Sequence, residues 1–152
     1  MPEKFVKFIT TFGFIGYLPL APGSMASVAG GLIAIFFSYS LPMYFAVWVI
    51  ITVLGFIAGD RMETLMQKKD PSCIVVDEVS GIMIAFFMLP HTTSVIVTAF
   101  FLFRAFDMFK IYPVNKFEPL KGGVGVMMDD IIAGIYTNIV MHLALRFILI
   151  LR

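Results

Sequence analysis

Charge is scarce in this sequence: 14% of its 152 residues are Asp, Glu, Lys or Arg, against about 25% in soluble domains. Cysteine is nearly absent. The single Cys73 excludes an internal disulfide, and with it a small secreted disulfide scaffold. Neither sign of charge prevails, with 11 Lys and Arg against 10 Asp and Glu, so there is no basic stripe for a nucleic acid. No Gly-Lys-Ser/Thr occurs, which excludes a Walker-type phosphate loop. The N-terminal residues Met1 to Lys7 lack the basic region, apolar run and small-residue cleavage site of a removable signal peptide, so the mature chain is expected to begin there.

What the sequence has in excess is apolar surface. Hydrophobic residues make up 60% of it, including 17 Phe. A soluble globule of about 150 residues leaves about 30% of its unfolded surface exposed, and too few polar groups exist here to cover that area. The composition therefore points to a membrane-embedded protein, and the length to a single domain, 1–152.

The polar residues are confined to particular stretches. Apolar segments run over 28–58, 79–106 and 131–151. Pro42 interrupts the first and Pro90-His91-Thr92-Thr93 the second. Each is expected to form a helical hairpin with arms of about 11 to 17 residues, roughly 16 to 25 Å long, short for a hydrocarbon core of about 30 Å. The third is expected to form one longer C-terminal helix. The predicted fold is thus all-α, a compact membrane-embedded bundle. Two hairpins return residues 1–27, 60–78 and 107–130 to one face. That face holds Lys4, Lys7, Arg61, Lys68, Lys69, Lys110, Lys116 and Lys121, eight of the 11 basic residues, which marks it as cytoplasmic.

Acidic pairs stand before two of the apolar stretches, Asp77-Glu78 and Asp129-Asp130. Carboxylates are stabilised at helix N-termini by the helix dipole alone. A third group alters that reading: Arg104, Asp107 and Lys110 recur at i, i+3 and i+6 among Phe100, Phe101, Phe103, Phe106 and Phe109, a polar ladder emerging from an apolar wall. Should these acids converge, their repulsion requires a cation, since two unit charges 4 Å apart repel by about 4 kcal/mol at an effective dielectric near 20. With one Cys and only His91 and His142, the ligands are oxygens, which suits Mg²⁺ or Mn²⁺ and not zinc. Neither histidine is expected to be a ligand, and His142 is read as a helix-packing residue. Mg²⁺ is usually shared with substrate phosphates. Lys121-Gly122-Gly123-Val124-Gly125 offers a nest-like anion site. Ala21-Pro22-Gly23-Ser24-Met25-Ala26-Ser27 offers a helix start that Ser24 or Ser27 would cap.

Four ordered blocks, 22–27, 74–81, 103–113 and 122–134, together resemble the bacterial phosphatidylglycerophosphatase A family over about residues 12 to 140. The resemblance departs from the family pattern at Val76, where Trp is common, and at Lys110-Ile111-Tyr112-Pro113, where Lys-Pro-Trp-Pro is common. It implies a Mg²⁺-dependent lipid phosphatase of the inner membrane, converting phosphatidylglycerophosphate to phosphatidylglycerol and phosphate. On that basis Asp77, Glu78, Asp129 and Asp130 are expected to hold the metal. Asp107 is either a further ligand or the base that orients water. Arg104, Lys110 and Lys121 are expected to clamp the phosphate, aided by backbone N–H groups at Gly23, Ser24, Gly122 and Gly123. Attack by water and an aspartyl-phosphate route both remain open. The alternatives are a hydrolase of another lipid phosphate, or a small transport subunit whose acids would line an ion path in mid-span. The expected partners are the phospholipid and the bilayer; the oligomeric state is not encoded in any motif.

Overall fold

Apolar runs this long, without strand-length alternation, fold as helices, and a computed structural model describes residues 1–109 and 122–150 as an all-α bundle. Six α-helices lie among the described residues: α1 (Glu3–Thr10), α2 (Pro22–Phe37), α3 (Leu41–Met66), α4 (Val76–Phe86), α5 (Thr93–Phe109) and α6 (Gly122–Ile150). A single 3-10 turn, Ile15–Tyr17, separates α1 from α2.

The central element is α4. Eight of its 11 residues are buried, and it packs against α2, α3, α5 and α6. Its enclosure depends on small residues at the crossings. A Cβ on Gly30 of α2 would lie 2.9 Å from the Val79 Cα. One on Gly81 of α4 would lie 2.6 Å from the Asp130 carbonyl oxygen, and one on Gly134 of α6 would run into the Gly81 carbonyl. Polar ties fix the same contacts. Thr52 and Ser80 share a buried hydrogen bond of 2.7 Å between α3 and α4, and the Tyr44 hydroxyl donates to the Met83 carbonyl. Asn138 of α6 donates to the Phe87 carbonyl at 2.7 Å, satisfying an acceptor just past the end of α4. His142 reaches the same carbonyl at 3.3 Å.

The two hairpins are present, with turns at residues 38–40 and 87–92. Both turns meet at one end of the bundle, where Ser38, Leu41, Met88, Leu89 and His91 line a common hollow of about 200 Å³. Three arms have the expected lengths, 16 residues in α2, 11 in α4 and 17 in α5. The fourth does not. Helix α3 has 26 residues and absorbs residues 60–66, which the sequence pattern assigns to a polar loop. Pro42 sits in its first turn, where the missing N–H has no helical partner to lose. Nothing between Asp60 and Met66 breaks the backbone, so the helix continues past its apolar part until Gln67 adopts a left-handed conformation, φ 49°. Helix α6 likewise begins nine residues before the expected 131, at Gly122, and spans 29 residues. Both α3 and α6 are long and apolar enough to cross a membrane.

The N-terminal segment braces the approach to α4. Helix α1 packs on α3, and the Thr10 carbonyl accepts the Val75 N–H at 2.8 Å.

Candidate active site

At the end of the bundle opposite the two turns, residues from α2, α4, α5, α6 and the 70–74 segment enclose a cavity of about 350 Å³. Helix α4 contributes Asp77 and Glu78 from its first turn, beside the positive end of its dipole. Helix α6 contributes Asp129 and Asp130, 7% and 4% exposed. These two are not at a helix mouth, as the sequence suggests, but in the third turn of α6, because that helix starts at Gly122. What brings the pairs together is the α4–α6 crossing. Gly81 lies four residues beyond Asp77 and Gly134 four beyond Asp130, so each close contact is one turn below an acid.

One oxygen from each of Asp77, Glu78 and Asp130 lies within 4.8 Å of the other two. Two unit charges at that separation repel by about 3 kcal/mol at an effective dielectric near 20. Burial, reinforced by the charge of Glu78, pushes the Asp77 carboxyl well above its ordinary value. Burial likewise raises that of Glu78. Asp77 Oδ1, Glu78 Oε2 and Asp130 Oδ2 are buried without a hydrogen-bond donor among the described residues. Unpartnered, convergent carboxylate oxygens are the donor set of a hard divalent cation. Opposite ligands of Mg²⁺ at 2.0 to 2.1 Å stand about 4 Å apart, a spacing this acidic triad meets with little adjustment. The triad can therefore hold a metal ion.

Helix α5 supplies the opposite wall. Arg104 and Asp107 pair at 2.7 Å, the i,i+3 ion pair expected from the sequence, with both side chains under a fifth exposed. Lys110, the third member of the ladder, lies outside the described residues, as does Lys121. The fourth wall is the start of α2. Its cap is Ala21, in a left-handed conformation with φ 42° and ψ 58°, and no side chain caps it. Ser24 and Ser27 do not cap α2, since the helix already begins at Pro22; the Ser27 hydroxyl donates instead to the Gly23 carbonyl at 2.9 Å. The first-turn N–H groups of Gly23 and Ser24 thus remain available at the cavity. Gly23 also abuts the Glu78 carboxylate so closely that a Cβ there would overlap it.

Gly122 and Gly123 are not brought to this cavity. Gly122 lines a separate, open depression with Asp60, Glu63, Thr64, Gln67, Lys68 and Lys69. Its N–H donates to Glu63 at 2.7 Å. Gly123 packs against the backbone of Phe56 on α3. Gly123 thus makes a helix contact, and the Gly122 N–H is taken up by a protein carboxylate. Conversely, Asp70 and Ser72 line the cavity, although Asp70-Pro71 by itself is turn chemistry. Asp70 does form a turn, with φ 41°, and the only signal of a further role is its place seven residues before Asp77.

A sequence profile of the family described as phosphatidylglycerophosphatase A matches residues 8–145. A Bacteroides thetaiotaomicron protein, provisionally named a phosphatidylinositol-3-phosphatase, is 38% identical over 144 residues, 89% of each chain. The phosphatidylglycerophosphatase A of Haemophilus influenzae is 34% identical, over 82% of this chain and 79% of its own. That of Escherichia coli is 32% identical, over 79% of this chain and 72% of its own. No solved structure matches. The chain belongs to the phosphatidylglycerophosphatase A family, whose members are lipid phosphatases.

Proposed function

We propose that this family member hydrolyses phosphatidylglycerophosphate to phosphatidylglycerol and inorganic phosphate, using Mg²⁺ held by Asp77, Glu78 and Asp130, with Asp129 beside them. The observation that carries this reading is the buried acidic triad, with unpartnered oxygens, facing the Arg104–Asp107 pair across one cavity. When bound, the metal would neutralise phosphate charge and polarise the phosphoryl oxygens. The remaining work belongs to the chain. Arg104 draws the phosphate oxygens toward α5, and the Gly23 and Ser24 N–H groups stabilise charge that grows on them in the transition state. Asp107, oriented by Arg104, accepts a proton from the water that attacks phosphorus in line with the glycerol oxygen. The ester P–O bond breaks, and the glycerol oxygen leaves with a proton from solvent. Lys110 and Lys121 complete the phosphate clamp in this scheme.

Location supports the chemistry. With α3 and α6 crossing the bacterial inner membrane and the basic residues gathered on the cytoplasmic side, the cavity meets a phosphate at headgroup depth while the acyl chains stay in the leaflet. A single domain suffices. The name of the Bacteroides relative favours a second reading, a phosphoinositide as substrate. Phosphate release by protein purified in detergent decides between them. Phosphatidylglycerophosphate is expected to be the faster substrate, with activity dependent on Mg²⁺ and lost on chelation. Faster turnover of phosphatidylinositol 3-phosphate would assign the second reading, and metal-independent turnover would overturn the site.

A further inference from the structure

Glu63 lines the separate depression and not the acidic cavity, yet both of its carboxylate oxygens are engaged. Oε1 accepts the Asp70 N–H at 2.8 Å, and Oε2 accepts the Gly122 N–H at 2.7 Å. The two donors belong to the segments that lead into the acid pairs. From Asp70 the chain runs through Ser72 and Ile74, which line the cavity, into Asp77-Glu78. From Gly122 it runs two turns along α6 to Asp129-Asp130. Both donor residues have positive φ, 41° at Asp70 and 74° at Gly122, a conformation that Gly adopts freely and Asp more readily than most residues, and that a hydrogen bond to the N–H helps to hold. Glu63 is well placed to hold it, because the next residue back on α3, Met62, is fully buried and anchors that turn of the helix. A carboxylate at the first N–H of α6 also complements the dipole of that helix.

We propose that Glu63 is a positioning residue: its carboxylate clamps the Asp70 turn to the first residue of α6 and thereby sets the spacing between the acids of α4 and those of α6. The consequence for turnover rests on the phosphatase reading above; the clamp itself does not. Cys73, the chain's single cysteine, lies half-buried three residues past Asp70 and reports on the turn directly. In full-length protein, E63A is expected to react with a maleimide at Cys73 about five times faster than the unaltered chain, as a released segment opens more often. The same variant is expected to need about tenfold more Mg²⁺ for half-maximal phosphate release and to lose about tenfold in kcat, the scale for groups that orient metal ligands. KM for the lipid phosphate should change less than kcat, since Arg104 and the Gly23 and Ser24 amides are untouched. E63Q keeps one accepting oxygen and should fall between, which supplies the measurement should E63A fail to fold. Unchanged Cys73 labelling together with an unchanged Mg²⁺ requirement in a folded variant would overturn the clamp. Should the unaltered chain release phosphate from no lipid, the functional reading fails while Cys73 labelling still decides the clamp.

Discussion

Gathering Asp77, Glu78 and Asp130 in one buried cluster works against the metal-free protein, and the sign can be followed through pH. The folded-state pKa values of Asp77 and Glu78 are raised above their ordinary 3.8 and 4.5 by burial. Between those ordinary values and the raised ones, the folded state keeps protons that the unfolded chain releases, so stability falls as pH rises through that window. A thermal melt in detergent with chelator should therefore show a Tm that declines from about pH 5 upward, and Mg²⁺ should flatten the decline. The Asp130→Asn variant separates the two consequences. Phosphate release should drop at least about 100-fold, the scale of losing a positioned catalytic group, while the metal-free Tm rises because one buried negative charge is gone. A metal-free variant that melts lower than the unaltered protein would show that Asp130 supports the fold instead of straining it.

At the scale of elements, the site depends on how closely α4 and α6 can approach. Gly134 presses on the Gly81 carbonyl, with the Ile84 Cβ 3.1 Å from where its own Cβ would be. Backbone cannot yield as a flexible side chain can. Gly134→Ala should cost about 1 to 3 kcal/mol, the usual penalty of overpacking, and should lower phosphate release by prising the acid pairs apart. Denaturant unfolding and activity measured on the same preparation check both effects. The element boundaries show where pattern reading stops. The turn around Pro90 falls where the sequence places it, whereas the first turn, at Ser38 to Ser40, lies just ahead of Pro42, which the sequence marks as the break and which belongs to the first turn of α3. The C-terminal end of α3 and the start of α6 carry no such mark. A charged helical turn looks like a charged loop when only polarity is read, and Asp60 to Met66 is helical because its backbone has no better alternative and Met62 is buried.

For the molecule as a whole, the two hairpins return the N-terminal segment and residues 67–75 to the same end of the bundle, which the proposal puts on the cytoplasmic side. In a Cys73→Ser background, single cysteines at Lys4 and Lys68 should react with an impermeant thiol reagent only from the cytoplasmic side, and cysteines at Tyr39 and His91 only from the other. Labelling of Lys4 and Lys68 positions from opposite sides would break the hairpin arrangement and separate the basic residues from the cavity. Concordant labelling would place the acids, Arg104 and the amides of α2 at the headgroup level of one leaflet.

Composition points to a membrane-embedded chain, because 60% hydrophobic residues leave water no adequate surface, and the long apolar segments point to helices. The Arg104–Asp107 pair was equally legible, since i,i+3 spacing on a helix guarantees contact without any help from the rest of the fold. Acid pairs 52 residues apart, as Asp77 and Asp129 are, carry no such guarantee. Their convergence was decided by the crossing of α4 and α6 over Gly81 and Gly134, and the placing of Asp70 in the cavity and of Gly122 and Gly123 outside it by contacts with α3 that sequence spacing does not show. Local spacing fixes what neighbours along a helix can touch, whereas the meeting of distant segments is set by packing, which depends on the shapes of all the surfaces buried at once.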